Sequence, residues 1–394
     1  MAFTARLLGP EEFGRFVVAL TLFGLIVLFA DAGLGDSALQ RLTTRPNPGN
    51  AFRVGPAIRR LQTGLIVTAV ALFGTSAGAV SGHLPLGTPI LCLAIPAWIL
   101  ITNKALELRV LERFRASTSV MATLYFALNA GPLVAVMVIP NSIAAAATAS
   151  AGMWLLAACR LHRIRTPSDS IPFHEYLKSG RPFLLTAVAV ALYSRGDRLV
   201  LALFGDIKAT GLYTAAYTIV LGASLLGSAI QIVALPHALR EHSMRSANWA
   251  AVRRRILLAW GPSVLVVGLT ILFAESIVQT LFGPGFVGAA PLLIALSPII
   301  PLYLINPYLS TILIAAHRQQ VVTRVAFTNL ALASILFPSA ILVGGAVYLA
   351  AASVIVELCG HCQMLIAVKC LLANSDINDN RRWRSLRGLF SRRH

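Results

Sequence analysis

Long runs of apolar residues alternate with short polar gaps along almost the whole chain. Eleven of these runs approach or exceed the roughly 20 helical residues that are needed to cross the hydrocarbon core of a bilayer. Because the runs are continuously apolar and do not alternate with period two, they favour helices over barrel strands. The sequence therefore predicts an all-α polytopic membrane protein. The predicted spans are residues 14–38, 61–80, 84–103, 117–139, 142–159, 182–204, 211–235, 256–274, 288–316, 321–343 and 345–368.

Positive charge is concentrated in every second gap between these spans. Loops that carry Lys and Arg stay on the cytoplasmic side of a membrane. The pattern therefore predicts a multi-pass protein of the cell (inner or plasma) membrane with a cytoplasmic C-terminus. The basic tail is expected to lie on anionic headgroups. Most of the 33 Lys and Arg residues fall within 41–60, 104–115, 160–181, 240–255, 318–324 and 369–393.

The overall composition supports this prediction. The chain has 57% hydrophobic and only 12% charged residues, whereas about a quarter of the residues in a soluble protein are charged. A net charge of +18 would suggest a nucleic-acid partner for a soluble protein. Here the positive residues lie beside apolar spans, where membrane lipids attract them. We therefore expect membrane lipids, and no nucleic acid, as partners.

Two turns about 200 residues apart share a layout of glycine, acidic residues and a following helix. They are residues 8–14 (LGPEEFG), with Ala19 five residues later, and residues 204–211 (FGDIKATG), with Ala216 five residues later. Internal repeats of this kind are typical of transporters. The repeat predicts two lobes of equal helix number if one span preceded Met1, so the first helix of a twelve-helix protein is expected to be missing.

The linker between the predicted lobes is rich in turn-forming residues and contains a short amphipathic piece. The sequence thus predicts an N-terminal lobe of five spans, a cytoplasmic linker, a C-terminal lobe of six spans and a basic cytoplasmic tail. Their boundaries are 1–160, 161–181, 182–373 and 374–394, respectively.

Several short motifs resemble those of a known family of flippases. They are residues 5–15 (ARLLGPEEFGR), 29–35 (FADAGLG), 111–115 (LERFR), 211–217 (GLYTAAY) and 281–292 (LFGPGFVGAAPL). In order and spacing they resemble the polysaccharide and O-antigen flippases of the multidrug/oligosaccharidyl-lipid/polysaccharide exporter superfamily. The resemblance implies a twelve-helix fold, from which this chain lacks the first helix. It also implies transport of a polyprenyl-diphosphate-linked oligosaccharide to the outer leaflet by alternating access, with polysaccharide polymerase and glycosyltransferases as possible partners.

Two arginines in the span 182–204 are the first candidates for substrate binding. Arg195 and Arg198 are three residues apart, which places them on one helix face. Their planar guanidinium groups could bind a diphosphate in a bidentate way. In the alternative interpretation, Asp197 neutralises them or they extend toward the membrane surface. The amides Asn129 and Asn306 could contact sugar hydroxyls or could join helices, as mid-span amides do.

Other ionisable residues in spans are candidates for ion coupling, because a charged group in a span is costly. Glu357 and His361 are four residues apart on one face and could bind and release a proton. They could equally form a structural hydrogen-bonded pair. Asp31 could bind a cation or pair with a basic neighbour. Pro298, Pro301 and Pro307 fall in one span, which is therefore expected to bend or break.

The sequence also carries evidence against other functions. It contains no ATP-binding loop, no metal-ligand spacing and no nucleophile elbow. We therefore expect no catalytic residues, metal or cofactor. A small-molecule multidrug exporter of the same superfamily is an alternative, although it would need an acidic cavity. A membrane glycosyltransferase or polymerase is less favoured, because the predicted outward loops are very short.

Overall fold

The computed structural model describes residues 1–31, 56–82, 84–111, 113–160, 173–222, 249–315 and 318–390. Helices make up nearly all of this part of the chain, and no strand occurs within it. In chain order the helices are α1 (Ala2–Asp31), α2 (Pro56–Val80), α3 (Gly87–Cys92), α4 (Ile95–Val110), α5 (Phe114–Val138), α6 (Ser142–Arg160), α7 (Phe173–Phe204), α8 (described over 207–222), α9 (Trp249–Leu272), α10 (Ala274–Phe282), a 3-10 helix (Pro284–Ala289), α11 (Ala290–Leu296), α12 (Ile299–Ala315) and α13 (Gln319–Phe390).

Several of these helices have their polar face inward and their apolar face outward. On α2, Thr63, Thr68 and Thr75 are buried, whereas Val70 and Phe73 are 69% and 82% exposed. Water would penalise this arrangement, because the hydrophobic effect drives apolar side chains out of contact with water. Lipid favours it, since apolar side chains then face hydrocarbon and polar ones bond to neighbouring helices. The predicted all-α membrane fold is confirmed.

Within the described residues, five helices are long and apolar enough to cross a membrane, or up to seven if each sharply bent helix pair forms one span. Several of the eleven predicted spans, such as 14–38 and 211–235, extend outside the described residues. The count of eleven for the whole chain stays a prediction.

Breaks in the helices occur partly where the sequence predicts them. The long helix α13 is interrupted at Gly344 and Gly345, of which Gly345 has a φ of 67°, at the predicted boundary between the last two spans. The proline-rich span is also broken as predicted, because its two parts bend by 53° between Leu296 and Ile299. The break between α3 and α4, within the predicted span 84–103, was not expected. Pro96 in the first turn of α4 explains it, because proline favours the start of a helix.

The helices form two compact units. Unit 1 comprises Met1–Ala215 together with Val278–Gly288, and unit 2 comprises Ala216–Ile277 together with Ala289–His394. The lobe boundaries predicted from the sequence remain a prediction. In unit 1, Phe286 packs edge-on against Phe13 with ring centroids 6.0 Å apart. The apolar core of unit 2 joins α9, α12 and α13 through Ile256, Ile305, Leu309, Leu313, Val325, Met364 and Val368.

The two turns that share a layout in the sequence touch each other inside unit 1. A Cβ atom on Gly14 would lie 2.1 Å from the carbonyl oxygen of Ile207, and one on Gly211 would lie 1.9 Å from that of Pro10. Gly14 thus packs against the carbonyl of Ile207, which lies four residues before Gly211. Gly211 packs against the carbonyl of Pro10, which lies four residues before Gly14. Two helix starts related in this reciprocal way can approach closely only because neither has a side chain at the contact.

Candidate functional site

The two arginines singled out in the sequence lie on the second half of α7, which belongs to unit 1. Both are half-buried, and their spacing of three residues keeps them on one face of the helix. The Arg198 guanidinium donates a hydrogen bond through Nη2 to the Ser194 carbonyl oxygen, at 3.2 Å. The two arginines therefore share one face of α7, as their spacing predicts.

Asp197 lies between the arginines and is almost fully buried, with 3% of its side chain exposed. Its carboxylate accepts hydrogen bonds from the Tyr213 hydroxyl at 2.7 Å and from the Arg198 backbone N–H at 2.8 Å. The Arg198 Nε atom lies 3.6 Å from the same carboxylate. Asp197 therefore pairs with Arg198.

The Arg195 side chain lies against a different helix of unit 1. Its guanidinium occupies the space that a side chain on Gly24 of α1 would fill, because a Cβ atom there would lie 2.2 Å from Arg195 Nη1. The two arginines thus have different surroundings. Arg198 contacts its own helix and Asp197, whereas the Arg195 guanidinium packs against Gly24 of α1.

The other candidates in unit 1 have local partners. The Asn129 amide on α5 donates to the Tyr125 carbonyl oxygen at 2.7 Å and accepts from the Met1 amino group at 3.3 Å. Asp31, at the end of α1, accepts a 2.5 Å hydrogen bond from Arg60 Nε on α2. Asp31 therefore pairs with a basic neighbour, as one of its two interpretations predicts. The substrate-binding role of Asn129 and the ion-coupling role of Asp31 stay predictions.

A buried polar group connects α8, α12 and α13 in unit 2. His361 Nδ1 and Asn306 Oδ1 are hydrogen-bonded at 2.6 Å, so these two candidates are brought together. The Tyr303 hydroxyl donates to Glu357 Oε1 at 3.4 Å and also bonds to the Tyr217 hydroxyl. Glu357 and His361 are only 8% and 2% exposed. The group places a carboxylate and an imidazole one helical turn apart in a buried environment.

One atom of this group stands out. His361 Nε2 is buried and has no hydrogen-bond partner within the described part of the chain. A buried imidazole nitrogen without a partner is costly, because it has lost its hydrogen bonds to water. A small ligand that hydrogen-bonds to this nitrogen would remove that cost.

Several contributors to these groups were missed in the sequence. Gly24, Tyr303 and Tyr213 have no local signal, because their role depends on contacts between helices that are far apart in the chain. Arg60 was counted among the loop arginines, yet it is 4% exposed. In the sequence, only its position at the start of an apolar span indicates that its side chain could be buried. Among the described residues, no group of three or more His, Cys, Asp or Glu side chains is arranged to hold a metal ion.

Comparisons with solved structures identify the fold. A multidrug resistance MATE family transporter of the MOP superfamily, in an inward-facing conformation, superposes with a TM-score of 0.74 at 15% sequence identity, covering 95% of this chain and 93% of that one. The lipid II flippase MurJ, in an inward closed conformation, gives a TM-score of 0.70 at 16% identity and covers 95% and 88%. These relatives in fold are transporters and flippases, not enzymes.

A third structure is a MOP superfamily transporter from Pyrococcus furiosus, for which reverse polarity of the binding pocket suggests a different function. Its TM-score is 0.60 at 16% identity, with 94% of this chain and 91% of that one covered. No curated protein sequence matches the chain significantly. The family model described as polysaccharide biosynthesis protein matches residues 1–240. Because this match covers more than half of the chain, the chain belongs to the polysaccharide biosynthesis protein family, and its fold is that of the MOP superfamily of membrane transporters.

Proposed function

We propose that this protein carries a polyprenyl-diphosphate-linked oligosaccharide from the cytoplasmic to the outer leaflet of the cell membrane, in the synthesis of a surface polysaccharide. The sugar-diphosphate head passes through the protein by alternating access, and the polyprenyl tail stays in lipid. No covalent bond is made or broken. The family to which the chain belongs and the flippase among its relatives in fold support the proposal.

The observation that carries the proposal is the presence of two partly buried arginines, Arg195 and Arg198, on one face of an apolar helix. An ionised arginine in an apolar span is costly and is retained where it serves a function. Two arginines on one helix face attract an anionic group. Arginine binds phosphate oxygens in a bidentate way and stays charged at all physiological pH values. A diphosphate head fits this chemistry, and Asn129 and Asn306 are proposed to contact its sugars.

A second candidate function is export of small molecules, which the similarity in fold to MATE transporters favours. For a cationic compound the site would need a net negative charge, because like charges disfavour binding in a medium of low dielectric constant. Arg195 and Arg198 carry the opposite sign. We therefore favour an anionic lipid-linked substrate over a cationic drug.

We further propose that transport is coupled to an ion or proton gradient through Glu357 and His361, with Asp31 contributing in unit 1. Their burial and the partnerless nitrogen of His361 support this role. The polymerase and glycosyltransferases that act on the same lipid-linked glycan are proposed as functional partners. A cytoplasmic C-terminus is also proposed, and the distribution of positive charge along the sequence supports it.

The proposal predicts that Arg195→Ala lowers translocation of the lipid-linked diphosphate oligosaccharide about tenfold or more, since a hydrogen bond to a charged group contributes roughly 1.5–3 kcal/mol. Arg195→Lys should lose less, because it keeps the charge but not the planar fork. The measurement is movement of a fluorescent headgroup in proteoliposomes. Arg254→Ala, at an exposed arginine of α9, is the matched control. Equal transport by Arg195→Ala and Arg254→Ala would remove Arg195 from substrate binding.

Coupling predicts a different outcome for Glu357→Gln, which keeps the shape of the side chain but removes its charge. We expect gradient-driven accumulation to fall about tenfold or more, while exchange of substrate without a gradient continues. The same vesicles, with and without an imposed ion or proton gradient, provide the measurement. Glu11→Gln is the control, because the Glu11 side chain is 61% exposed. If Glu357→Gln responds to the gradient as the wild type does, Glu357 is not the coupling group.

A further inference from the structure

We infer that Gly24 is a positioning residue for substrate binding, because the absence of a side chain there creates the space in which the Arg195 guanidinium lies. Gly24 would thus fix the point at which a phosphate group is bound. The inference rests on the proposed function in one respect, since Arg195 must bind the anionic head of the substrate.

The contact involves the head of Arg195 and not its stem. A Cβ atom on Gly24 would lie 2.2 Å from Nη1, 3.3 Å from Cζ and 3.9 Å from Nη2. All three are guanidinium atoms. Because non-bonded heavy atoms are in optimal contact at about 3.5–4.0 Å, any side chain on residue 24 would push the guanidinium away by about 1 Å or more. No residue other than glycine leaves the head where it is.

The turn of α1 that carries Gly24 packs closely against a neighbouring helix. Phe23, next to Gly24, is 4% exposed and packs edge-on against Trp98 of α4, with ring centroids 6.0 Å apart. Since α1 is fixed at this turn, a methyl group on residue 24 would be accommodated by movement of Arg195 and not of the helix.

The opposite side of the arrangement is also fixed. Arg195 lies two residues before Asp197, whose carboxylate is anchored by Tyr213. The arginine is therefore held between an anchored helix and a glycine space, so its head is placed before a substrate arrives. Such preorganisation raises affinity because less side-chain freedom is lost on binding.

Gly24 differs in this respect from Gly14 and Gly211, two other tightly packed glycines of unit 1. At Gly14 and Gly211 an added side chain would meet backbone carbonyls, whereas at Gly24 it would meet the end of a flexible side chain. Alanine is also a better helix former than glycine. Gly24→Ala should therefore leave the fold as stable as before or more stable, and still displace Arg195. Stability and substrate binding should change independently.

The test measures inorganic diphosphate binding to the purified full-length protein, together with its thermal unfolding. We expect Gly24→Ala to weaken diphosphate binding about tenfold with an unfolding temperature equal to or above that of the wild type. The control is Gly74→Ala on α2, where an added Cβ would meet nothing within 4 Å; it should bind as the wild type does. In an Arg195→Ala background, Gly24→Ala should cause no further loss, as expected for two residues that act through one contact.

The outcomes separate this inference from the proposed function. Wild-type binding of diphosphate by Gly24→Ala would overturn the inference, as would a full tenfold loss that persists in the Arg195→Ala background. Failure of the wild type itself to bind diphosphate would overturn it as well. If the wild type binds diphosphate and Gly24→Ala does not, but lipid-linked oligosaccharide is not translocated, the proposed function fails and the positioning role of Gly24 stands.

Discussion

Gly211→Ala is expected to destabilise the folded protein by about 3 kcal/mol, close to the upper end of the usual cost of overpacking. The new methyl group would lie 1.9 Å from the Pro10 carbonyl oxygen and would crowd the Gly14 backbone nitrogen, 3.1 Å from the same position. Both atoms belong to the main chain, so no rotamer change can relieve the clash. The measurement is thermal unfolding of the purified protein in detergent.

Because the contact is reciprocal, it also predicts the effects of substitutions at Gly14. Gly14→Ala should be destabilising to a similar degree, because its methyl group would lie 2.1 Å from the Ile207 carbonyl oxygen. The double variant should cost less than the sum of the two, since separation of the helices by the first methyl group makes room for the second. Gly268→Ala, where an added Cβ meets nothing within 4 Å, is the control. An unfolding temperature for Gly211→Ala that matches this control would show that the two turns do not touch.

Arg60→Ala is expected to destabilise the protein by about 3 kcal/mol, because it leaves a partly buried carboxylate and two buried polar side chains without this partner. Arg60 donates to Asp31 Oδ1 at 2.5 Å and to Thr102 Oγ1 at 3.3 Å, and also to Asn103 Oδ1. These bonds join the end of α1 and the first turns of α2 to the middle of α4. The variant would remove all of them together, and thermal unfolding would report the loss.

Asp31→Asn should be milder than Arg60→Ala. The Asp31 side chain is 27% exposed, and Arg60 would keep its bonds to Asn103 and Thr102. Arg324→Ala, at an exposed position of α13, controls for the loss of one positive charge, and exposed charges contribute little to stability. Equal unfolding temperatures for Arg60→Ala and Arg324→Ala would mean that Arg60 does not hold these three helices together.

Much of the fold follows from the sequence for a simple physical reason. Lipid accepts only backbone that is internally hydrogen-bonded, so a long apolar run has helix as its main solution. The interruption at Gly344 and Gly345 and the bend after Leu296 were also predictable, because glycine and proline change the backbone locally. The break between α3 and α4 was not predictable from hydropathy. An apolar run has the same hydropathy whether its helix is continuous or interrupted for two residues.

The candidate site was predictable only where one helix determines it. The common face of Arg195 and Arg198, and that of Glu357 and His361, follow from helical spacing. Their partners come from other helices: Gly24 for Arg195, Asn306 for His361. Such contacts depend on how helices pack, and helix packing in lipid is directed by small and polar residues that occur at many positions. Packing also decides that Arg60 is buried, although the sequence places it in a basic gap.

The most direct test of the central claim is a transport measurement on the wild-type protein in sealed vesicles. The vesicles contain two fluorescent substrates, a polyprenyl-diphosphate-linked oligosaccharide and a small cationic dye, and the accessibility of each to a membrane-impermeant reagent is followed over time. We expect the protein to move the lipid-linked headgroup faster than protein-free vesicles do, and to leave the dye where it was. Movement of the dye alone, or of neither compound, would contradict the proposed function.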